Sequence, residues 1–208
     1  MSSRTAGRII GALLLLAFVL YGTGSFLIAA GTGYPSGAAP ASAEHQRIAG
    51  MALIIGNSLL VVAIGLLAFP VLRPHSPTTA YAYLGTRIFE GSLLALGGAL
   101  ALSRVPTAQD VTYPVAMLGL ALGSLLFCRV LLRARLVPRP LALWGLVGYS
   151  LLAVGMALEL FGSRAGLALS VPGGLFEVAL GVLLVVRGFP ERPPDRPSPR
   201  RSPVTAIV

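Results

Sequence analysis

An arginine and a glutamate lie three residues apart inside an otherwise apolar run of this chain. The run 80–102 reads AYAYLGTRIFEGSLLALGGALAL and contains Arg87 and Glu90. Residues three apart share one face of a helix, so these two side chains can reach each other. A charged side chain in an apolar helix is costly, and its face is expected to point away from lipid.

A second glutamate is expected at a similar depth. Glu177 lies ten residues before Arg187, the residue that follows the apolar run 167–186. At 1.5 Å per residue this places Glu177 about 15 Å from the membrane surface, and Glu90 comes out at about the same depth. By the same counting, Asn57 and Tyr149 are candidate hydrogen-bond partners. The sequence therefore predicts one intramembrane polar cluster, made of Arg87, Glu90, Glu177, Asn57 and Tyr149.

Two interpretations of this cluster remain open. In the first, the arginine and the glutamates form a structural network that fixes which helices are neighbours. In the second, one arginine cannot fully neutralise two glutamates, so one carboxyl group is left to bind a proton or a cation. The segment SVPGGLFE (170–177) bears on the second interpretation. A helix interrupted at Pro172 and the following glycines would resemble the broken helices of transporter sites.

The elements that position these residues are predicted to be membrane-spanning helices. The chain of 208 residues is 55% hydrophobic and only 11% charged, whereas a soluble domain is about a quarter charged. A spanning helix needs about 20 mostly apolar residues, and six continuous runs qualify. We therefore expect an all-α, polytopic bundle of six transmembrane helices, within a domain covering 1–187. The predicted spans are 9–30, 48–72, 80–102, 113–132, 141–161 and 167–186.

The distribution of arginine predicts the orientation of the bundle, because cytoplasmic flanks collect positive charge. Twelve arginines flank the spans on the side of the two termini, against three on the other side. Both termini are therefore expected in the cytoplasm, which requires an even number of spans. An alternative, in which 9–30 is a cleaved signal peptide, is less favoured because that apolar run is too long. The Pro- and Arg-rich stretch 188–208 is expected to be a disordered cytoplasmic tail that can contact anionic lipid.

Several classes of function are disfavoured by the residue inventory. The chain has no lysine, which excludes a Schiff-base cofactor. Cys128 is the only cysteine, and His45 and His75 fall in separate connections, so no metal or haem site is expected. The net charge of +9 comes from arginines at the ends of apolar runs, which is not a nucleic-acid-binding pattern. The expected partner is the lipid bilayer; protein partners are not indicated.

Four segments carry a resemblance to a known family. These are RIIGALLLLAFVLYG (8–22), AYLGTRIFEGSLLALGG (82–98), RLVPRPLALWGLVG (135–148) and LFEVALGVLLVVRGF (175–189). In that order they resemble the bacterial integral-membrane family called domain of unknown function 4386, over about 8–189. The resemblance implies six spans and a bacterial inner-membrane location, and it supplies no activity. It also implies an acidic residue in the second span, where this chain has Asn57.

The sequence thus favours a multi-pass inner-membrane protein of unknown biochemical activity, whose Arg/Glu network is structural. One alternative is a small proton- or cation-coupled transporter that uses Glu90 and Glu177. A second alternative is a membrane enzyme acting on lipid, which would have to use Glu44, His45 and Asp110 near the outer surface. No catalytic motif is recognised among these residues, so the sequence leans away from an enzyme and from any cofactor.

Overall fold

The computed structural model describes residues 2–32, 40–102 and 108–190. All regular secondary structure in these ranges is α-helical. Within the described residues six helices follow one another, and each contains one of the six predicted apolar runs or nearly all of it. They are α1 (Ser3–Thr32), α2 (Ala41–Leu72), α3 (Pro77–Leu102), α4 (Ala108–Arg133), α5 (Arg139–Leu160) and α6 (Gly166–Arg187).

The start of α2 differs from the prediction. The predicted span is 48–72, whereas the helix begins at Ala41, directly after Pro40 in extended conformation. Hydropathy detects only the part of a helix that lies in an apolar medium, so polar turns that extend the helix are missed. In this extension Arg47 is 5% exposed, and its side-chain carbons lie close to Gly31 of α1.

Pro172 does not interrupt α6. The helix runs from Gly166 to Arg187 with Pro172 as its seventh residue. As the seventh residue, Pro172 follows the first turn, so the helix lacks the hydrogen bond that an N–H group there would donate to the Ala168 carbonyl oxygen, but it continues unbroken through Glu177 to Arg187. The interruption of this helix considered from the sequence is therefore wrong.

The six helices form a closed ring. Each helix makes extensive contacts with the helices before and after it in the chain, and α1 also contacts α6. Successive helices run antiparallel, so both ends of the described chain lie at one end of the ring, where Gly188 lies against the backbone of Arg4. We call this the terminal end. The topology places the middle of every helix around a common interior.

Small residues bring the backbones of neighbouring helices together. Gly11 of α1 lies against the backbone of α6 at Gly181, and Gly148 of α5 lies against Gly173 of α6. Between membrane helices, such close packing replaces the hydrophobic driving force that lipid does not supply. The ring therefore closes between α1 and α6 where glycine faces glycine.

Five of the helices in the described chain are long and apolar enough to cross a membrane: α1, α2, α4 from Val111, α5 and α6. The protein is therefore of the membrane type. The helix outside this group is α3, which carries Arg87 and Glu90 in its central part. Its 26 residues span about 39 Å at 1.5 Å per residue, so its polarity and not its length sets it apart.

Candidate functional site

Arg87 is held on the inner face of α3 by two neighbours on the same helix. Its Nη1 atom donates to Glu90 Oε2 at 2.9 Å, and its Nε atom donates to the Tyr83 hydroxyl oxygen at 3.0 Å. These partners lie at i+3 and i−4, which one helical face brings together. The Tyr83 ring in turn stacks on Phe127 of α4, with ring centroids 4.7 Å apart. Arg87 is 3% exposed, so its guanidinium is oriented by both α3 and α4.

Glu177 of α6 connects this arginine to α5. Its Oε1 atom lies 3.9 Å from Arg87 Nη2 and accepts a hydrogen bond of 2.5 Å from the Tyr149 hydroxyl group. The Tyr149 ring meets Phe176 edge-on at 5.6 Å, which fixes the direction of its hydroxyl group. The network therefore joins three helices of the ring. We call it the polar cluster, and its members are Tyr83, Arg87, Glu90, Tyr149 and Glu177.

The two glutamates have different surroundings. The Glu90 side chain is 4% exposed and pairs with Arg87 at 2.9 Å. The Glu177 side chain is 15% exposed, and its nearest guanidinium nitrogen is 1.0 Å more distant, at 3.9 Å. Coulomb attraction falls with distance and with access of solvent. Glu177 is therefore the less neutralised of the two carboxyl groups.

A cavity of about 220 Å³ lies beside the polar cluster. All six helices contribute to its wall, and Arg87, Glu90 and Glu177 are its charged residues. Most of the remaining wall is apolar or aromatic, and the larger side chains there include Leu14, Phe18, Tyr21, Ile64, Leu94, Tyr113, Met117, Leu120 and Leu152. The site therefore combines one polar side with an apolar remainder, as small-molecule sites do.

The structure brings four of the five predicted polar residues together. Arg87, Glu90, Tyr149 and Glu177 are joined by the bonds described above. Asn57 is 3% exposed and lines the cavity from α2, but it takes part in none of those bonds. That these residues form a functional site remains a prediction. Ser150, which falls at a similar depth, instead donates to the backbone carbonyl of Leu146 on its own helix.

Three tyrosines of the site were not singled out from the sequence. Tyr83 lies four residues before Arg87, so helical spacing could have identified it as a partner. Tyr21 of α1 and Tyr113 of α4 both line the cavity, and their rings stack with centroids 5.7 Å apart. These two helices are not consecutive in the chain, so no spacing in the sequence relates the two tyrosines.

The residues considered for lipid chemistry do not assemble into a site among the described residues. Glu44 is half exposed and pairs with Arg47 at 3.3 Å, and His45 Nδ1 lies 2.6 Å from the Ala41 carbonyl oxygen. The side chain of Asp110 lies outside the described residues. In the part of the chain that the structure describes, no three His, Cys, Asp or Glu side chains are placed to hold a metal ion.

Comparison with known proteins identifies a family for most of the chain. The model of the family described as "Domain of unknown function (DUF4386)" matches residues 9–188. No curated protein and no solved structure matches the chain. The match includes all of the polar cluster and nearly all of the six helices. The chain therefore belongs to the DUF4386 family.

Proposed function

We propose that this protein crosses the bacterial cytoplasmic membrane six times, with both termini in the cytoplasm. Five apolar helices support this arrangement. The remaining helix, α3, is longer than the roughly 30 Å of bilayer hydrocarbon. Its Arg87 and Glu90 are both 3% exposed, so these charges are shielded from lipid. The excess of arginine at the terminal end supports the cytoplasmic placement of that end.

Cysteine labelling tests this topology. In a Cys128→Ala background, Ser2→Cys and Ser76→Cys place one thiol each at the terminal end, and Ser103→Cys and Ser163→Cys place one each in connections expected outside. We expect a membrane-impermeant maleimide to label the second pair in intact spheroplasts and to label the first pair only after lysis. Labelling of Ser76→Cys and Ser103→Cys from the same side would contradict a crossing by α3.

We propose that the protein is a small proton- or cation-coupled carrier, and that Glu177 is its coupling group. The observation that supports this most directly is the position of Glu177 at the wall of a cavity bounded by all six helices. It is also the less neutralised glutamate of the polar cluster. A carboxylate of this kind inside a membrane protein is expected to bind a proton or a cation.

In this proposal the other members of the polar cluster have a structural role. Arg87 and Glu90 form a close buried pair on one helix, and Tyr149 orients Glu177 through its hydroxyl group. The structural interpretation from the sequence therefore applies to the pair, and the transport interpretation to Glu177. No observation on the described residues favours a lipid-modifying enzyme.

The Glu177→Gln variant tests the carrier. In proteoliposomes with a pH gradient, we expect cation flux by the unaltered protein and a flux at least about tenfold lower for the variant, because glutamine does not bind a proton. Flux is measured with a pH-sensitive dye inside the vesicles while sodium, potassium and organic cations are added outside. The matched control is Glu44→Gln, whose carboxylate lies far along α2 from the cavity and is half exposed.

Two results would contradict the carrier. One is a Glu177→Gln variant that is folded, by size-exclusion chromatography and thermal unfolding, and transports as well as the unaltered protein. The other is an unaltered protein that moves none of the cations added. Either result would leave the structural role of the polar cluster as the whole of its function.

We also propose that the tail, 188–208, contacts anionic lipid. Arg4, Arg135 and Arg187 line a groove at the terminal end next to the start of the tail, and all three are exposed. Each arginine near an anionic surface adds about 1 kcal/mol to membrane association. The groove and the arginines of the tail would together form one basic surface.

A further inference from the structure

The charge of the cavity wall selects the sign of a ligand. Arg87 is the cation of the described wall and Glu90 and Glu177 are its anions, so the ionised wall carries one net negative charge. The Arg87 guanidinium is already engaged, by Tyr83 through Nε, by Glu90 through Nη1 and by Glu177 near Nη2. Two carboxylates therefore offset its charge, which leaves no net attraction for an anion. A bound monovalent cation would neutralise the net negative charge of the wall.

The volume and the lining of the cavity indicate the size and the apolar character of the uncharged part of the ligand. A dry cavity of about 150 Å³ lined by apolar side chains holds benzene, so about 220 Å³ admits one aromatic ring with a small head group. The stacked rings of Tyr21 and Tyr113 lie in the wall. Aromatic faces attract organic cations, especially where water is excluded. The polar side then meets the charged head, and the apolar side meets the ring.

The packing of α1 against α6 offers an access route. Towards the terminal end these helices are in backbone contact, at Gly11 with Gly181. Further along, a methyl group at Gly174 would meet only the ring of Phe18, and one at Gly22 would meet no atom within 4 Å. Phe18 is 41% exposed and also lines the cavity. At this point the Phe18 side chain is therefore the part of the wall that a ligand entering from lipid would have to pass.

From these observations we propose that the cavity binds a small aromatic or similarly apolar monovalent organic cation, which enters from the bilayer between α1 and α6. The positive head group lies against Glu177 and the apolar body lies among Tyr21, Tyr113 and the leucines. This inference rests on the proposed function, because it names the class of cation that the carrier would exchange for a proton at Glu177.

Competition binding tests the ligand class. Radiolabelled benzyltrimethylammonium is bound to the purified full chain in nanodiscs, with protein-free nanodiscs subtracted. We expect unlabelled benzyltrimethylammonium to displace it at least about tenfold more effectively than the anion phenylmethanesulfonate or the neutral isostere neopentylbenzene, since a desolvated charge pair depends on sign. We expect Glu177→Gln to lose at least about tenfold in affinity and Glu44→Gln to bind like the unaltered protein.

The Glu177→Asp variant is a control for the case in which Glu177→Gln does not fold. It keeps a carboxylate at the site and is expected to bind the cation better than Glu177→Gln does. The proposal is overturned if the anion competes as well as the cation, or if folded Glu177→Gln binds the cation undiminished. Proton-linked flux of inorganic cations without any benzyltrimethylammonium binding would overturn this inference alone, whereas binding without flux would overturn only the carrier.

A bulky residue at Gly174 tests the access route. Gly174→Leu adds a side chain beneath Phe18, and we expect it to slow association of benzyltrimethylammonium by at least about tenfold without changing the sign preference. The control Gly85→Leu adds the same side chain at an exposed glycine of α3 with open space around it. Equal association rates for the two variants would contradict access between α1 and α6.

Discussion

Arg87→Leu is expected to lower the free energy of unfolding by about 3–5 kcal/mol, the usual cost of removing one partner of a buried ion pair. Glu90 would lose the guanidinium that lies 2.9 Å away while its own side chain stays 4% exposed. Glu177 would lose the weaker of its two polar contacts. The loss is measured by thermal unfolding or by SDS titration of the purified protein in detergent.

Two double variants identify which carboxylate depends on Arg87. Arg87→Leu with Glu90→Leu removes the close pair as a unit and is expected to recover most of the lost stability, because well-packed apolar replacements of buried pairs are often neutral. Arg87→Leu with Glu177→Leu is expected to recover less, since Glu90 remains uncompensated and Tyr149 loses its acceptor. The difference between the double and single variants gives the coupling energy.

Arg133→Leu is the matched control for these variants. Arg133 ends α4 and is exposed, so its replacement is expected to change the free energy of unfolding by less than about 1 kcal/mol. An Arg87→Leu variant as stable as this control would show that the polar cluster does not stabilise the bundle. If neither double variant were more stable than Arg87→Leu alone, the stability lost with Arg87 would not come from its pairing with these glutamates.

Gly11→Ala is expected to destabilise the protein by roughly 1–3 kcal/mol through overpacking. A Cβ atom at this position would lie 2.6 Å from the Gly181 carbonyl oxygen and 2.8 Å from the Val185 nitrogen. Both are backbone atoms of α6, which cannot rotate away as a side chain can. The methyl group therefore has to push α1 from α6 and open the ring, which thermal unfolding in detergent would detect.

Gly22→Ala provides a control on the same helix. A Cβ atom there meets nothing within 4 Å, and alanine favours the helix over glycine by about 0.5–1 kcal/mol. We therefore expect this variant to be slightly more stable than the unaltered protein. If Gly11→Ala behaved like Gly22→Ala, α1 would not pack against α6 as the ring requires, and the signal-peptide alternative for this segment would regain support.

The positions and class of the helices could be predicted from the sequence, because apolar length is a local property. Each of the six apolar runs lies within a helix or nearly so, and five of these helices are apolar enough to span a membrane. The prediction missed helical residues where the helix is polar, at the start of α2. Residues 41–47 lie outside the predicted span 48–72, yet they begin α2. Hydropathy reports the medium around a helix and not the helix itself.

The pairing within α3 also followed from the sequence. Helical periodicity alone puts Arg87 and Glu90 on one face, and the structure gives the contact at 2.9 Å. The cost of charge in an apolar helix likewise predicts that this face points inward. Both inferences depend on the geometry of a single helix. That geometry is set by residues close together in the sequence, so the sequence alone is sufficient.

Which helices meet, and how unequally the two glutamates are paired, was decided only by the tertiary structure. The bond between Tyr149 and Glu177 crosses from α5 to α6, and the stacking of Tyr21 on Tyr113 crosses from α1 to α4. Depth in a membrane can be counted along one helix, but rotation about the helix axis and the choice of neighbours depend on close contacts between small residues of different helices. The cavity exists only once the ring is closed, so no stretch of the sequence contains it.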